Sequence, residues 1–220
     1  MLKKLLSYFY PITVYHKSSN ISKSLEVTLY NGKTLLNTKN TNYSYGSLQS
    51  VLKKGLSTIG KSEINKMNAI LVLGVAGGSV VKTLITDFEF TKSITGVELD
   101  TEIIEIANTY FGLDKVSNFK CIIADAEQFV STCENLYDLI IIDIFKDTEM
   151  PEFLFQEKFL NNIKQLLHKN GCIMFNMMIL DKSKTDKIDQ FLNSFNEENY
   201  SKKVLKNVQH YNDLILIRSL

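Results

Sequence analysis

The stretch Leu71–Val81, LVLGVAGGSVV, decides the fold. Leu71 to Leu73 read as the end of a buried strand. Gly74 to Ser79 read as a turn of small residues, and the run from Ser79 as the start of a helix. A strand that feeds a helix through a glycine turn opens a parallel α/β sheet. Small side chains there let the main chain approach a ligand, and the first turn of the helix offers unpaired N–H groups. The places of a dinucleotide G-x-G-x-x-G fingerprint hold Gly74, Ala76 and Ser79, which argues against a diphosphate ligand.

Outward from this stretch, apolar runs alternate with amphipathic ones. The strands are AILVLG from Ala69, SITGVEL from Ser93, FKCIIA from Phe119, YDLIIID from Tyr137 and GCIMFNMM from Gly171. Between them SVVKTLITDF, TEIIEIANTYF, AEQFVST and FLFQEKFLNNIKQLL read as helices. Near-continuous apolar strands predict a parallel sheet covered on both faces. A further helix, KTDKIDQFLNSF, precedes two strand-like runs, SKKVLKNV and DLILIRS, joined by a short turn near His210 to Asn212. The expectation is an α/β, Rossmann-like domain: a mostly parallel seven-stranded sheet closed by an antiparallel C-terminal hairpin. Upstream, LEVTLYNGKTLL carries Asn31-Gly32, a hairpin signal. Ser47 to Ile59 places Leu48, Val51, Leu52 and Leu56 on one helical face. Gly60 to Asn68 reads as a surface linker. Two parts follow: an N-terminal hairpin-and-helix segment, 1–60, and the Rossmann-like domain, 61–220.

Hydrophobic content of 45% and charged content of 22% are those of a globular protein. A net charge of +1 with interspersed signs argues against a surface built for nucleic acid or anionic lipid, so neither partner is expected. Cys121, Cys133 and Cys172 are odd in number and lack metal-ligand spacing, and His16, His168 and His210 have no spaced partners. No metal is expected. Cys121 and Cys172 lie in apolar runs and are expected to be buried thiols in a reducing compartment. The first sixteen residues read as a lead-in segment, with a signal or an interfacial anchor as the alternative. No apolar run approaches the ~20 residues that span a bilayer, and the cytoplasm is the expected location.

Ligands of open α/β sheets bind beyond the carboxyl ends of the strands. The second strand ends in GVELD, which puts Glu98 and Asp100 at that edge, where a carboxylate can accept both hydroxyls of a ribose. The third ends in ADA, where Asp125 can accept a hydrogen bond from an adenine amino group. The fourth ends at Asp143, which emerges from an apolar run into the cleft and can orient or deprotonate an attacking amine. These edges describe a nucleoside pocket without a diphosphate clamp. That favours S-adenosylmethionine or its decarboxylated form over NAD. The alternative use of Glu98 and Asp125, as caps of the helices that follow, stays open.

In this order the motifs resemble the spermidine synthase (polyamine aminopropyltransferase) family, on the class I methyltransferase fold, from about Leu25 to Met178. ILVLGVAGGSVVKTL resembles its glycine motif, ITGVELDTEIIEIANTYF its ribose strand and helix, IIADAEQFV its adenine site and YDLIIIDIF its catalytic strand. NGKTLLNTKNTNYSYGSLQ resembles the hairpin and tyrosine-bearing loop over the active site. The resemblance implies donor binding by Gly74, Ala76, Gly77, Gly78, Glu98, Asp125 and Ala126, and catalysis by Asp143. It also implies a substrate cavity lined by Tyr45, with Asp147 near the amine, and a homodimer through the N-terminal hairpin. Three positions depart from the family pattern. Gly77 stands where an aspartate holds the aminopropyl amine, Gly46-Ser47 where a polar pair follows the tyrosine, and Lys146 where a second aspartate grips the diamine. The implied activity is transfer of an aminopropyl or methyl group to an amine-type small molecule. The alternative is an inactive cofactor-binding or assembly module on the same fold.

Overall fold

The computed structural model describes residues 2–38, 42–146, 149–178, 185–209 and 211–220. A short helix, α1 (Leu2–Leu6), leads into β1 (Ile12–Ser19), β2 (Lys23–Tyr30), β3 (Lys33–Asn37) and β4 (Asn42–Ser44), an antiparallel sheet in that spatial order. Helices α2 (Gly46–Ile59) and α3 (Lys61–Lys66) follow. The second sheet is then laid down as β5 (Ala69–Leu73), α4 (Ser79–Thr86), β6 (Ser93–Glu98), α5 (Thr101–Phe111), β7 (Phe119–Ile123), α6 (Ala126–Thr132) and β8 (Tyr137–Ile142). It is completed by α7 (Glu157–Gln165), β9 (Leu167–Met178), α8 (Thr185–Asn193), β10 (Tyr200–Gln209) and β11 (Asn212–Ser219).

The seven strands lie in the order β10-β11-β9-β8-β5-β6-β7, with β11 antiparallel to both neighbours and the other pairs parallel. This is the expected α/β architecture with its closing hairpin. Alternate residues of β5 explain why its sequence shows no polar face. Ile70 and Val72 pack with Val51, Leu56, Val81 and Leu84 on one side of the sheet. Leu71 and Leu73 pack with Phe159, Ile163 and Phe191 on the other. Helix α2 therefore joins the large sheet's core, although the sequence reading counted it with the N-terminal segment. A third cluster glues the small sheet to α5, with Leu25, Val27 and Leu36 against Ile103, Ile106 and Phe111.

The hairpin at Asn31-Gly32 forms as expected, with positive φ at both residues (48° and 71°). Three elements differ from the sequence reading. The lead-in holds β1, paired antiparallel to β2, because its chain turns back at Asn20 to Ser22. The linker holds α3, anchored by the fully buried Ile64. Strand β9 starts at Leu167, directly after α7 and ahead of the expected Gly171, so His168 stands on a strand just past the helix end. Cys172 is buried, but Cys121 is only partly so. Among the described residues no helix is long and apolar enough to cross a membrane.

Strand order reverses between β5 and β8, and this switch point is where an open α/β sheet leaves a crevice. Gly74, with φ 87°, sits against the main chain of Asp143 there, and a Cβ at Gly74 would lie 2.8 Å from the Asp143 carbonyl carbon. Both the left-handed φ and the contact require glycine. Gly74→Ala is expected to cost about 2–4 kcal/mol and to lower the thermal midpoint by roughly 5–10 °C in a calorimetric scan.

Candidate active site

A cavity of about 480 Å³ opens at this switch point, within the ~300–1,000 Å³ range of small-molecule sites. Its floor is the glycine loop. Ala76 holds a left-handed conformation (φ 47°) that an alanine adopts only when something fixes it. Glu98 does so. Its Oε2 accepts from the N–H groups of Val75 (3.1 Å) and Ala76 (3.0 Å), and its Oε1 accepts from Leu99 (2.9 Å) and Asp100 (3.1 Å). Burial raises the Glu98 pKa, and the four N–H donors oppose that rise. Glu98 borders the cavity, yet its four lone-pair sites are already engaged by main chain. Its first function is to clamp the loop. Ribose hydroxyls would reach it only by sharing these oxygens.

Asp125 lines the cavity and caps α6, with Oδ1 accepting from Gln128 N–H at 3.1 Å. The structure thus realises the capping alternative for one oxygen, and Oδ2 is left available. Ala126, the first residue of α6, lines the same wall. Asp100 does not face the cavity. It caps α5 through Oδ1 and accepts from the hydroxyls of Ser19 and Ser22 (2.6 Å for the latter) at Oδ2. This latch holds the β1–β2 turn over the pocket, so that Asn20 to Lys23 form part of its wall.

Asp143 follows β8 directly and borders the cavity. Burial, with Glu98 adding like charge, pushes its pKa up to about 6. Asn176 of β9, fully buried, donates from Nδ2 to Asp143 Oδ1 at 2.8 Å and pulls the pKa the other way. Asn212 donates in turn to Asn176 Oδ1 at 3.0 Å, which fixes the amide so that its NH2 faces the carboxylate. One oxygen of Asp143 is thus oriented by the amide relay, through Asn212 and Asn176.

The other sequence-predicted residues separate. Gly74 and Ala76 border the cavity, but Gly77 and Gly78 do not: Gly78 packs on Leu113 and Gly77 on Ser44. A Cβ at Gly77 would stand 2.8 Å from the Ser44 Cβ, so no aspartate fits there while β4 is docked. Ser44 also accepts from the Ser79 N–H at 3.3 Å, at the start of α4. Tyr45 is a correction. It does not line the cavity but stacks on Phe111, with centroids 4.5 Å apart, and its buried hydroxyl lacks a partner. Tyr43, two residues earlier, lines the cavity and donates to the Phe145 carbonyl at 2.7 Å, joining the small sheet to the loop after β8. A regular strand would put Tyr43 and Tyr45 on one face, but β4 ends at Ser44 and Tyr45 adopts a left-handed conformation (φ 69°) that turns it away. Lys146 borders the cavity, as does Lys23, which the sequence reading did not single out. Asp147 lies outside the described residues. Among those described, no group of three potential metal ligands comes together.

The family model for the spermine/spermidine synthase domain matches residues 49–215. A probable polyamine aminopropyl transferase of Bifidobacterium longum is 24% identical over 181 residues, covering 78% of this chain and 39% of that protein. An eEF1A lysine and N-terminal methyltransferase homolog of Drosophila melanogaster is 30% identical over 123 residues, covering 52% and 18%. The chain thus spans less than half the length of these relatives. Human methyltransferase-like protein 13, solved in complex with SAH, superposes with a TM-score of 0.65 at 22% identity, covering 80% of this chain and 83% of that one. That likeness shows the fold.

The amide relay generates a test on stability as well as rate. An Asp whose folded pKa lies above its unfolded value costs stability once it ionises, as pH rises from about 4 through about 6. Asp143→Asn is therefore expected to raise the thermal midpoint at pH 7 and to lose that advantage near pH 4. Removing the donor in Asn176→Ala should move the rising limb of the pH–rate profile above pH 6.

Proposed function

The chain belongs to the spermine/spermidine synthase domain family, and from that premise we propose that it binds S-adenosylmethionine and transfers its methyl group to an amine acceptor. The observation that carries this reading is the make-up of the cavity mouth. The space beside Gly77 is filled by Ser44, and Lys23 and Lys146 border the cavity. Nothing described there replaces a carboxylate grip on an aminopropyl ammonium. Two lysines suit a donor that keeps its α-carboxylate, and they disfavour the decarboxylated form, whose tail is purely cationic.

The residues present fit an adenosyl group. Gly74 and Ala76 admit close approach of a ligand. The free Oδ2 of Asp125 can accept from an adenine amino group, and Val97, Leu99 and Ala124 give apolar surface for the base. When bound, the donor supplies a methyl carbon made electrophilic by its sulfonium. Asp143 then accepts the ammonium proton of the acceptor at Oδ2, which its pKa of about 6 permits at neutral pH. Tyr43 and the latched β1–β2 turn exclude water from that face and hold the acceptor in line. A relative named as a probable polyamine aminopropyl transferase supports aminopropyl transfer as the second reading. A folded module without turnover is disfavoured by Asp143, a buried carboxylate held at a stability cost beside the cavity.

Isothermal titration separates these readings. S-adenosylmethionine is expected to bind at least tenfold more tightly than its decarboxylated form. Lys146→Ala should shrink that ratio, while Asp143→Asn keeps the affinity and lowers turnover by about 10²–10⁴-fold. Tighter binding of the decarboxylated donor would overturn methyl transfer.

A further inference from the structure

Net charge conceals a strong segregation. Residues 1–60 contain eight lysines and one acid, Glu26, so the rest of the chain is net acidic. Several of these lysines are engaged. Lys17 pairs with Glu102 and Glu105, Lys53 with Asp87, and Lys23 borders the cavity. Lys3, Lys4 and Lys33 are exposed and form no ion pair among the described residues. They gather at one end of the small sheet, because Ser7 ties α1 to the β2–β3 turn. Its carbonyl accepts from Asn31 N–H at 2.9 Å and its hydroxyl from Gly32 N–H at 3.1 Å.

The same end carries large apolar side chains that nothing covers. Leu2 is 70% exposed, Leu5 63% and Phe9 83%, and Tyr8, Tyr10 and Tyr30 are also exposed. Apolar side chains ringed by tyrosines and lysines match the layering of a bilayer interface: acyl chains, glycerol level and anionic headgroups. We propose that this end of the small sheet docks on an anionic lipid surface, inserting Leu2, Leu5 and Phe9 while Lys3, Lys4 and Lys33 meet the headgroups. Nucleic acid fits less well, because a purely electrostatic contact does not require exposed Leu and Phe. The proposal is independent of the methyl-transfer reading, since none of these residues borders the cavity.

Co-sedimentation of the full chain with vesicles tests it. Binding is expected to an equal mixture of phosphatidylcholine and phosphatidylserine, with little to phosphatidylcholine alone, and should weaken as salt rises. Lys3→Ser with Lys4→Ser should weaken it by roughly fivefold per lysine. Phe9→Asp, at an exposed position that leaves the fold intact, should abolish it without altering donor affinity. Absence of binding, or equal binding to both vesicles, overturns the proposal. So does a dimer in analytical ultracentrifugation that Phe9→Asp dissolves, since a second copy would then cover the patch. Retention on single-stranded oligonucleotide that Phe9→Asp leaves unchanged, together with weak vesicle binding, overturns it in favour of nucleic acid.

Discussion

The Glu98 carboxylate is the constraint around which the site is built. A buried carboxylate must find donors, and it finds four main-chain N–H groups on two segments. Two of them belong to the glycine loop, where Ala76 would not otherwise stay left-handed. With the loop pinned, α4 begins at Ser79 and the cavity has a floor. Two residues on, Asp100 ties down the β1–β2 turn through Ser19 and Ser22. Three consecutive residues after Val97 thus lock the loop, the sheet and the N-terminal roof together. An anion used this way is a fixed part of the scaffold before it is a ligand group.

The carboxylate of Asp143 is held from the opposite direction. Asp143 stands where β5 and β8 diverge, against Gly74, and its orientation comes from β9 through Asn176. Asn176 is itself oriented by Asn212, at the first position of β11, which pairs with Met178. The antiparallel closing strand therefore has a chemical consequence: it brings the start of β11 behind Asp143. A parallel strand there would begin at the far end of the sheet and leave Asn176 free to flip its amide.

What was legible in the sequence follows from what governs each feature. The large sheet was legible because strands buried on both faces leave unbroken apolar runs. Gly74, Glu98, Asp125 and Asp143 were legible because strand ends are chemically marked and their edges converge by topology. The small sheet was harder. β1, with Pro11 ahead of it and polar residues within, shows no clean alternation, and only pairing with β2 makes it a strand. Tyr43 and Tyr45 would share a face in a regular strand, and only the left-handed turn at Tyr45, past the end of β4, sends it onto Phe111 and away from the cavity. The latch at Asp100 joins residues some eighty positions apart, which no local pattern announces. The near-neutral total charge also averages over a basic N-terminal part, which the total alone does not show.

These sources of legibility also divide the site into two halves of unequal freedom. The half proposed to take the nucleoside is made by main chain and strand-edge carboxylates, and Gly74, Ala76 and Glu98 cannot change without disturbing the fold that presents them. The half proposed to face the transferred group is made by side chains on β4, on the β1–β2 turn and on the loop after β8. There Ser44 occupies the space that Gly77 opens, and Lys23 and Lys146 supply the charge. The Gly77 and Ser44 positions are coupled, since a side chain at either excludes a larger one at the other. Replacing an ammonium grip by a carboxylate grip therefore requires few substitutions and leaves the core untouched. On the proposed reading, the donor's tail and the group it delivers are set by loops, while the adenosine is set by the sheet.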